Sequence, residues 1–141
     1  MGRSLGIDFG ERRLGLAMSD PSGMIAQPLP VLTRRIGKRA PVQAILELAQ
    51  QHEIETFVIG LPLDLAGEET AWTAEVRSFG DKLAQRSGKP VYYVDERLTS
   101  VRAERTIRSL GLKKSERERK DRIDAASAVL ILQSWLDRTR A

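Results

Sequence analysis

The sequence predicts an α/β fold: a mixed sheet of five strands, antiparallel in its first three, then β-α alternation with helices on both faces. Three observations carry this reading. Two short runs of alternating apolar and small or polar residues flank Gly10-Glu11-Arg12-Arg13, as the arms of an antiparallel hairpin would. Two later apolar runs, residues 56–60 and 91–94, each follow a stripe of apolar residues at helical spacing, as central strands fed by helices do. No internal repeat and no Gly/Ser-rich linker interrupts the 141 residues, a length that fits one domain spanning 1–141.

Taken in order, residues 5–9 and 14–19 are the first two strands, and Asp20-Pro21-Ser22-Gly23 is the turn that follows. Residues 24–32 form a proline-interrupted third strand, which belongs at an edge. Pro41 suits the first position of a helix carrying Val42, Ile45, Leu46 and Ala49 on one face. Trp72, Val76, Phe79 and Leu83 form the stripe of a second helix that stops near Gly88. Thr99 or Ser100 can cap a third, with Val101, Ile107 and Leu110 in it and Gly111 at its end. Residues 112–122 read as a charged, mobile segment, and 123–136 as a last helix, apolar around most of its circumference and buried. Gly10 is expected to serve the backbone conformation near the hairpin turn.

Composition narrows the chemistry. Met1-Gly2-Arg3 runs directly into a strand pattern, without an apolar leader, and no apolar run is long enough to span a bilayer, so a soluble cytoplasmic protein is expected. The absence of cysteine removes thiol nucleophiles and cysteine-zinc sites. The single histidine, His52, rules out paired-histidine ribonuclease chemistry and sits where a helix should end, a place that suits a cation. Hydrolysis would have to run on carboxylates, lysine or a metal held by oxygen. The net charge of +4 is compatible with a polyanionic partner, and basic residues gather in two loops, around Arg34, Arg35, Lys38 and Arg39 and from Lys113 to Arg122.

Three carboxylates stand in awkward places for structural residues. Asp8 lies within the first strand between Ile7 and Phe9, and an ionised group near a core must be paired or bind a cation. Glu96 follows the strand 91–94, and ligands of open α/β sheets collect beyond the carboxyl ends of strands. Asp95 and Glu96 face opposite ways in an extended segment, and spacing alone leaves open which one turns inward. Asp124 begins a stripe continued by Ala128, Ile131 and Trp135, so it should face the interior. If Asp121 caps the helix, however, Asp124 is an acid in the first turn, favourable for capping and dipole alone. If the helix packs on the sheet, the three converge. Hard oxygen ligands without His or Cys select Mg2+ or Mn2+, and two such ions about 4 Å apart could activate water against a phosphodiester.

Five blocks then resemble a known family. Gly6-Ile7-Asp8-Phe9-Gly10, the run from Arg12 to Asp20, Ile59-Gly60-Leu61-Pro62, Asp95-Glu96-Arg97-Leu98-Thr99-Ser100 and Asp124-Ala125-Ala126-Ser127-Ala128 are similar, in this order, to the signature blocks of the bacterial pre-16S rRNA nuclease family. That family is also called a Holliday-junction resolvase family and falls within the ribonuclease H-like superfamily. The resemblance runs from about residue 4 to about residue 136. It implies a ribonuclease H-like, five-stranded mixed sheet and a Mg2+- or Mn2+-dependent nuclease with Asp8, Glu96 and Asp124 as catalytic and metal-binding residues. It further implies Glu96 rather than Asp95 as the ligand, and trimming of the 5′ end of the 16S rRNA precursor. Arg12, Arg13, Arg34, Arg35, Lys38, Arg97, Lys113 and Lys114 are the candidate nucleic-acid contacts, with Asp95 an equal claimant on Arg97.

The expected partner is nucleic acid, pre-16S rRNA first, presented on ribosomal particles, with a monomer or weak homodimer as the working form. Competing readings are a resolvase of four-way DNA, which needs a symmetric dimer, a small actin-like ATPase, and an inert RNA-binding module whose acids are structural. Trp72 and Trp135 fall in helical stripes and read as core, and Arg102, Arg105 and Arg108 as a solvated face.

Overall fold

The computed structural model describes residues 2–34, 40–98 and 117–140. The order is β1 (Arg3–Phe9), β2 (Arg13–Ser19), β3 (Ala26–Thr33), α1 (Val42–Gln51), β4 (Ile54–Leu61), α2 (Ala71–Ser87), β5 (Val91–Asp95), a 3-10 turn (Glu96–Leu98) and α3 (Arg117–Arg140). One five-stranded sheet runs β3-β2-β1-β4-β5. The β1–β2 and β2–β3 pairs are antiparallel; β1–β4 and β4–β5 are parallel. The expected mixed sheet is thus present. β3 is an edge strand, where Pro28 and Pro30 withhold N–H donors without breaking an inner ladder.

Local chemistry sets the boundaries. Thr70 caps α2 reciprocally with Thr73, and Gly88 ends it in the left-handed conformation at φ 72°. Pro41 is the residue before α1 rather than its first, and His52 closes that helix by donating its backbone N–H to Leu48. Gly10 does not have a positive φ; a methyl group there would lie 2.4 Å from the Arg13 carbonyl oxygen, so crowding in the hairpin explains it rather than a special conformation.

The helix expected after Thr99 or Ser100, with Arg102, Arg105 and Arg108, lies outside the described residues. Residues 117–122, read as mobile, are the first turns of α3. Arg117, Glu118, Arg119 and Lys120 are of types that lose little rotamer freedom in a helix, and no Gly or Pro interrupts them, so the helix extends through the charged stretch. α3 is also less buried than its composition suggests. Asp124, Ser127, Ala128, Ile131, Leu132 and Leu136 form one buried stripe, and the last turn is exposed.

Strand alternation divides the core between the two faces of the sheet. Leu5, Ile7 and Phe9 of β1, Leu14 and Leu16 of β2, and Phe57, Ile59 and Leu61 of β4 pack with α1 and α2. Trp72 joins them, its ring 5.4 Å from Phe9, as a core residue should. Ala17, Val58 and Val94 face the other way, towards Ala128, Ile131, Leu132 and Leu136 of α3. Trp135 completes this side by packing on Tyr92 at 5.4 Å. Small residues let α3 come close: a methyl group on Gly6 would sit 2.6 Å from Leu132 Cβ.

Candidate metal and nucleic-acid site

Asp8 is built by the same alternation. With Ile7 and Phe9 facing α1 and α2, its side chain turns to the α3 side, and it is 1% exposed. Gly15 of β2 lies directly opposite it. In β4, Ile59 pairs with Ile7, which brings Gly60 to the other flank of Asp8. The aspartate therefore sits between two glycines, in a strip of sheet without side chains on either side.

The other two acids come in over those glycines. A methyl group on Gly15 would stand 2.1 Å from the Asp124 carbonyl oxygen and 3.4 Å from Asp8 Cβ. One on Gly60 would stand 2.8 Å from Glu96 Oε1 and 2.5 Å from Ile131 Cδ1. Glu96 and Asp124 are 2% and 3% exposed. The structure thus brings Asp8, Glu96 and Asp124 to one end of the α3 face, from a strand, a strand-end turn and a helix. Each interacts with its surroundings, and among the described residues no three acidic or histidine side chains form a closed metal-ligand group.

Of Asp95 and Glu96, it is Glu96 that turns inward. Val94 is buried on the α3 side, so alternation directs Asp95 away and Glu96 back. Asp95 is held by Arg97, whose Nη2 donates to Oδ2 at 2.8 Å and whose backbone N–H donates to Oδ1 at 2.9 Å. This pairing raises the Arg97 pKa above its ordinary value. Asp124 changes character too. Counted from Arg117, it is the eighth residue of α3, beyond the reach of first-turn capping or the dipole. The structural explanation open to it in the sequence is gone.

The predicted basic contacts divide. Arg12 is exposed in the β1–β2 turn, and Arg13 is half-buried at the start of β2. Arg34 braces that hairpin: its Nη1 donates to the Gly10 carbonyl at 3.3 Å and its guanidinium lies 4.9 Å from the Phe9 ring centre. Arg97 is committed to Asp95. Arg35, Lys38, Lys113 and Lys114 lie outside the described residues. Sequence reasoning missed Gly15 and Gly60, because strand neighbours are not readable along a chain. It also missed Ser127, fully buried one helical turn beyond Asp124, for which the i+3 spacing was the available signal.

Residues 2–138 match the model of a protein family described as RuvX, Holliday junction resolvase. A protein of Koribacter versatilis, named "Putative pre-16S rRNA nuclease", is 44% identical over 97% of this chain and 88% of its own length. A protein of Anaplasma marginale with the same name is 45% identical over 96% and 84%. Among solved structures, Thermus thermophilus RuvC in complex with a Holliday junction substrate aligns with a TM-score of 0.59 at 18% identity, over 100% of this chain and 97% of that one. The fowlpox virus Holliday junction resolvase aligns with a TM-score of 0.56 at 9% identity, over 97% and 99%. These two share the fold of this sheet, and the sequence matches across nearly the whole length show that the chain belongs to the RuvX family.

Proposed function

We propose that the chain is a divalent-metal-dependent endonuclease that hydrolyses phosphodiesters at Asp8, Glu96 and Asp124 and processes the 5′ end of pre-16S rRNA in the cytoplasm. The observation that supports the reading is that three buried acids, Asp8, Glu96 and Asp124, lie on three separate elements at one end of the α3 face, beside a strip kept open by Gly15 and Gly60. Burying an acid is costly unless it is paired or binds a cation. No packing requirement puts three of them together.

The donor set fits a hard divalent cation, Mg2+ or Mn2+, since it is all carboxylate oxygen. Asp8, Glu96 and Asp124 would hold it, and such an ion supplies an activated water and charge neutralisation at the phosphate. The chain's own part is positional. β1 fixes Asp8 between its neighbours, α3 carries Asp124 over Gly15, and the turn after β5 carries Glu96 over Gly60. Arg12 and Arg13, on the hairpin at the same end of the sheet, suit neighbouring phosphates.

The rRNA substrate is supported by the printed names of the relatives. A second reading, cleavage of four-way DNA junctions, is favoured by the description of the family and keeps the same site. Incubating the purified protein, with and without Mg2+ or Mn2+, with a 16S precursor leader RNA and a four-way DNA junction separates them. Metal-dependent cutting of the RNA alone supports the rRNA role; cutting of the junction alone replaces the substrate.

A further inference from the structure

Glu96 turns inward at the point where its strand ends. Val94 and Asp95 are the last residues of β5 paired with β4, opposite Gly60 and Leu61, and Glu96 opens the 3-10 turn that follows. The ladder no longer fixes the backbone there, so other bonds have to hold the turn. The Asp95 carboxylate supplies them. Its Oδ1 accepts the Arg97 backbone N–H at 2.9 Å, the side-chain-to-backbone bond of an Asx turn, with Glu96 as the residue enclosed. The same carboxylate takes the Arg97 guanidinium: Nη2 donates to Oδ2 at 2.8 Å, and Nε lies 3.1 Å from each oxygen. Glu96 is thus bracketed. The residue before it is tied to the sheet, and the residue after it is tied to the residue before.

The connection between β4 and α2 backs this bracket. A methyl group on Gly67 would stand 2.8 Å from Arg97 Nη1, 3.1 Å from Nη2 and 3.2 Å from Cζ, so the guanidinium lies against the bare backbone of that glycine. Gly67 is itself held. At φ 84° it donates its N–H to the Asp64 carbonyl at 3.0 Å, closing a β-turn. The Asp64 carboxylate fastens the turn from within, accepting from the N–H groups of Ala66 at 2.9 Å and Glu68 at 2.8 Å. The guanidinium therefore has a carboxylate along one edge and a fastened turn beside it.

The strength of the pair says where its effect falls. The Arg97 and Asp95 side chains are 37% and 21% exposed, and ion pairs so open to water add little to global stability. Geometry at a metal site is far more sensitive: losing a group that orients a metal ligand costs about 10–100-fold in affinity or activity. Glu96 depends on such orientation. It is 2% exposed, and its Oε1 lies 2.8 Å from where a methyl group on Gly60 would stand. We propose that Asp95 and Arg97 are positioning residues for Glu96, their pairing holding the turn from which its carboxylate reaches the α3 face. Arg97 then serves the acid rather than a phosphate of the nucleic acid. The inference rests on the nuclease reading for what Glu96 does.

A double-mutant cycle tests this, read on Mn2+ binding and on single-turnover cleavage of whichever probe, leader RNA or four-way junction, the wild-type chain cuts. Asp95→Ala and Arg97→Gln should each weaken Mn2+ binding and slow cleavage by about 10–100-fold, with Tm within about 5 °C of wild type. Asp95→Asn keeps an oxygen for the Arg97 N–H and should lose less than Asp95→Ala; Arg97→Lys keeps the charge and should lose less than Arg97→Gln. In a Glu96→Gln chain, adding Asp95→Ala or Arg97→Gln should lower neither readout further, because both act through Glu96. Asp137→Asn, which breaks the exposed pair with Arg140 near the end of α3, should change nothing. If Asp95→Ala fails to fold, the same cycle is run with Asp95→Asn. Unchanged Mn2+ binding and cleavage in the Asp95 and Arg97 variants, or losses that add in full to those of Glu96→Gln, overturn the positioning role and leave the three-acid site standing. So does a fall in nucleic-acid affinity and in its salt slope with Arg97→Gln in an Asp8→Asn background, which would make Arg97 a phosphate contact. A wild-type chain that neither binds Mn2+ nor cleaves, or a Glu96→Gln chain that does both in full, overturns the nuclease reading at Glu96 and the positioning role with it.

Discussion

At the scale of residues, the acids and the glycines are expected to fail in different ways. Asp8→Asn, Glu96→Gln and Asp124→Asn keep the volume and remove the charge, so each should cut cleavage by on the order of 10²–10³-fold, with Tm held within about 5 °C. Gly15→Ala keeps every acid. Its new methyl group would meet the Asp124 carbonyl at 2.1 Å, so α3 must withdraw from the sheet. Thermal unfolding should report a loss of about 1–3 kcal/mol, and cleavage should fall as well, because Asp124 moves with its helix. The residue scale is also where sequence reading went furthest. Asp8 was legible as a charge inside an apolar strand. Glu96 was legible as one of two neighbours, and the missing fact was the burial of Val94, which sets the phase of the strand. The importance of Gly15 and Gly60 follows from which strands lie beside β1, a tertiary fact.

At the scale of elements, hairpins and helix ends can be tested one at a time. The β2–β3 turn is fastened by Asp20, which accepts the N–H groups of Ile25 at 2.9 Å and Met24 at 2.8 Å and the hydroxyl of Ser22. The Ile25 bond foremost, then that of Ser22, lowers the Asp20 pKa from 3.8 to about 2. A depressed carboxylate contributes stability that is fully present above its unfolded value, near 3.8, and is lost as pH falls through about 2. The amide resonances of Met24 and Ile25 should therefore titrate with a midpoint near 2, and Asp20→Asn should remove that transition. Thr70→Ala deletes the cap of α2 and should cost about 1 kcal/mol in a denaturant melt. Elements with strong periodicity, α1, α2 and the strands, were legible within a few residues. The start of α3 was not, since charged residues that suit a helix suit a solvated loop equally well. That misplacement hid the strongest sign in Asp124, its position deep within a helix.

At the scale of the molecule, one face of the sheet holds the larger core and the other the three candidate acids. α1 and α2 cover the larger apolar core, while α3 comes close over glycines and carries an acid to the end of the sheet. The number of strands and the mixture of pairings were legible from the hairpin signal and the later β-α alternation; the order β3-β2-β1-β4-β5 was not. The faces were not, because they depend on strand register. For the whole protein, binding of leader RNA should weaken steeply as salt rises, since phosphates neutralised by arginine and lysine release counterions. A filter-binding series in KCl checks this, and a flat response would remove the basic residues from the contact surface.

The most direct test of the three-acid site is Mn2+-dependent single-turnover cleavage by the wild-type chain, Asp8→Asn, Glu96→Gln and Asp124→Asn, with Mn2+ binding measured on the same preparations. The site predicts that all three variants stay folded, bind Mn2+ more weakly and lose cleavage together. Full metal-dependent cleavage by any one of them would contradict it.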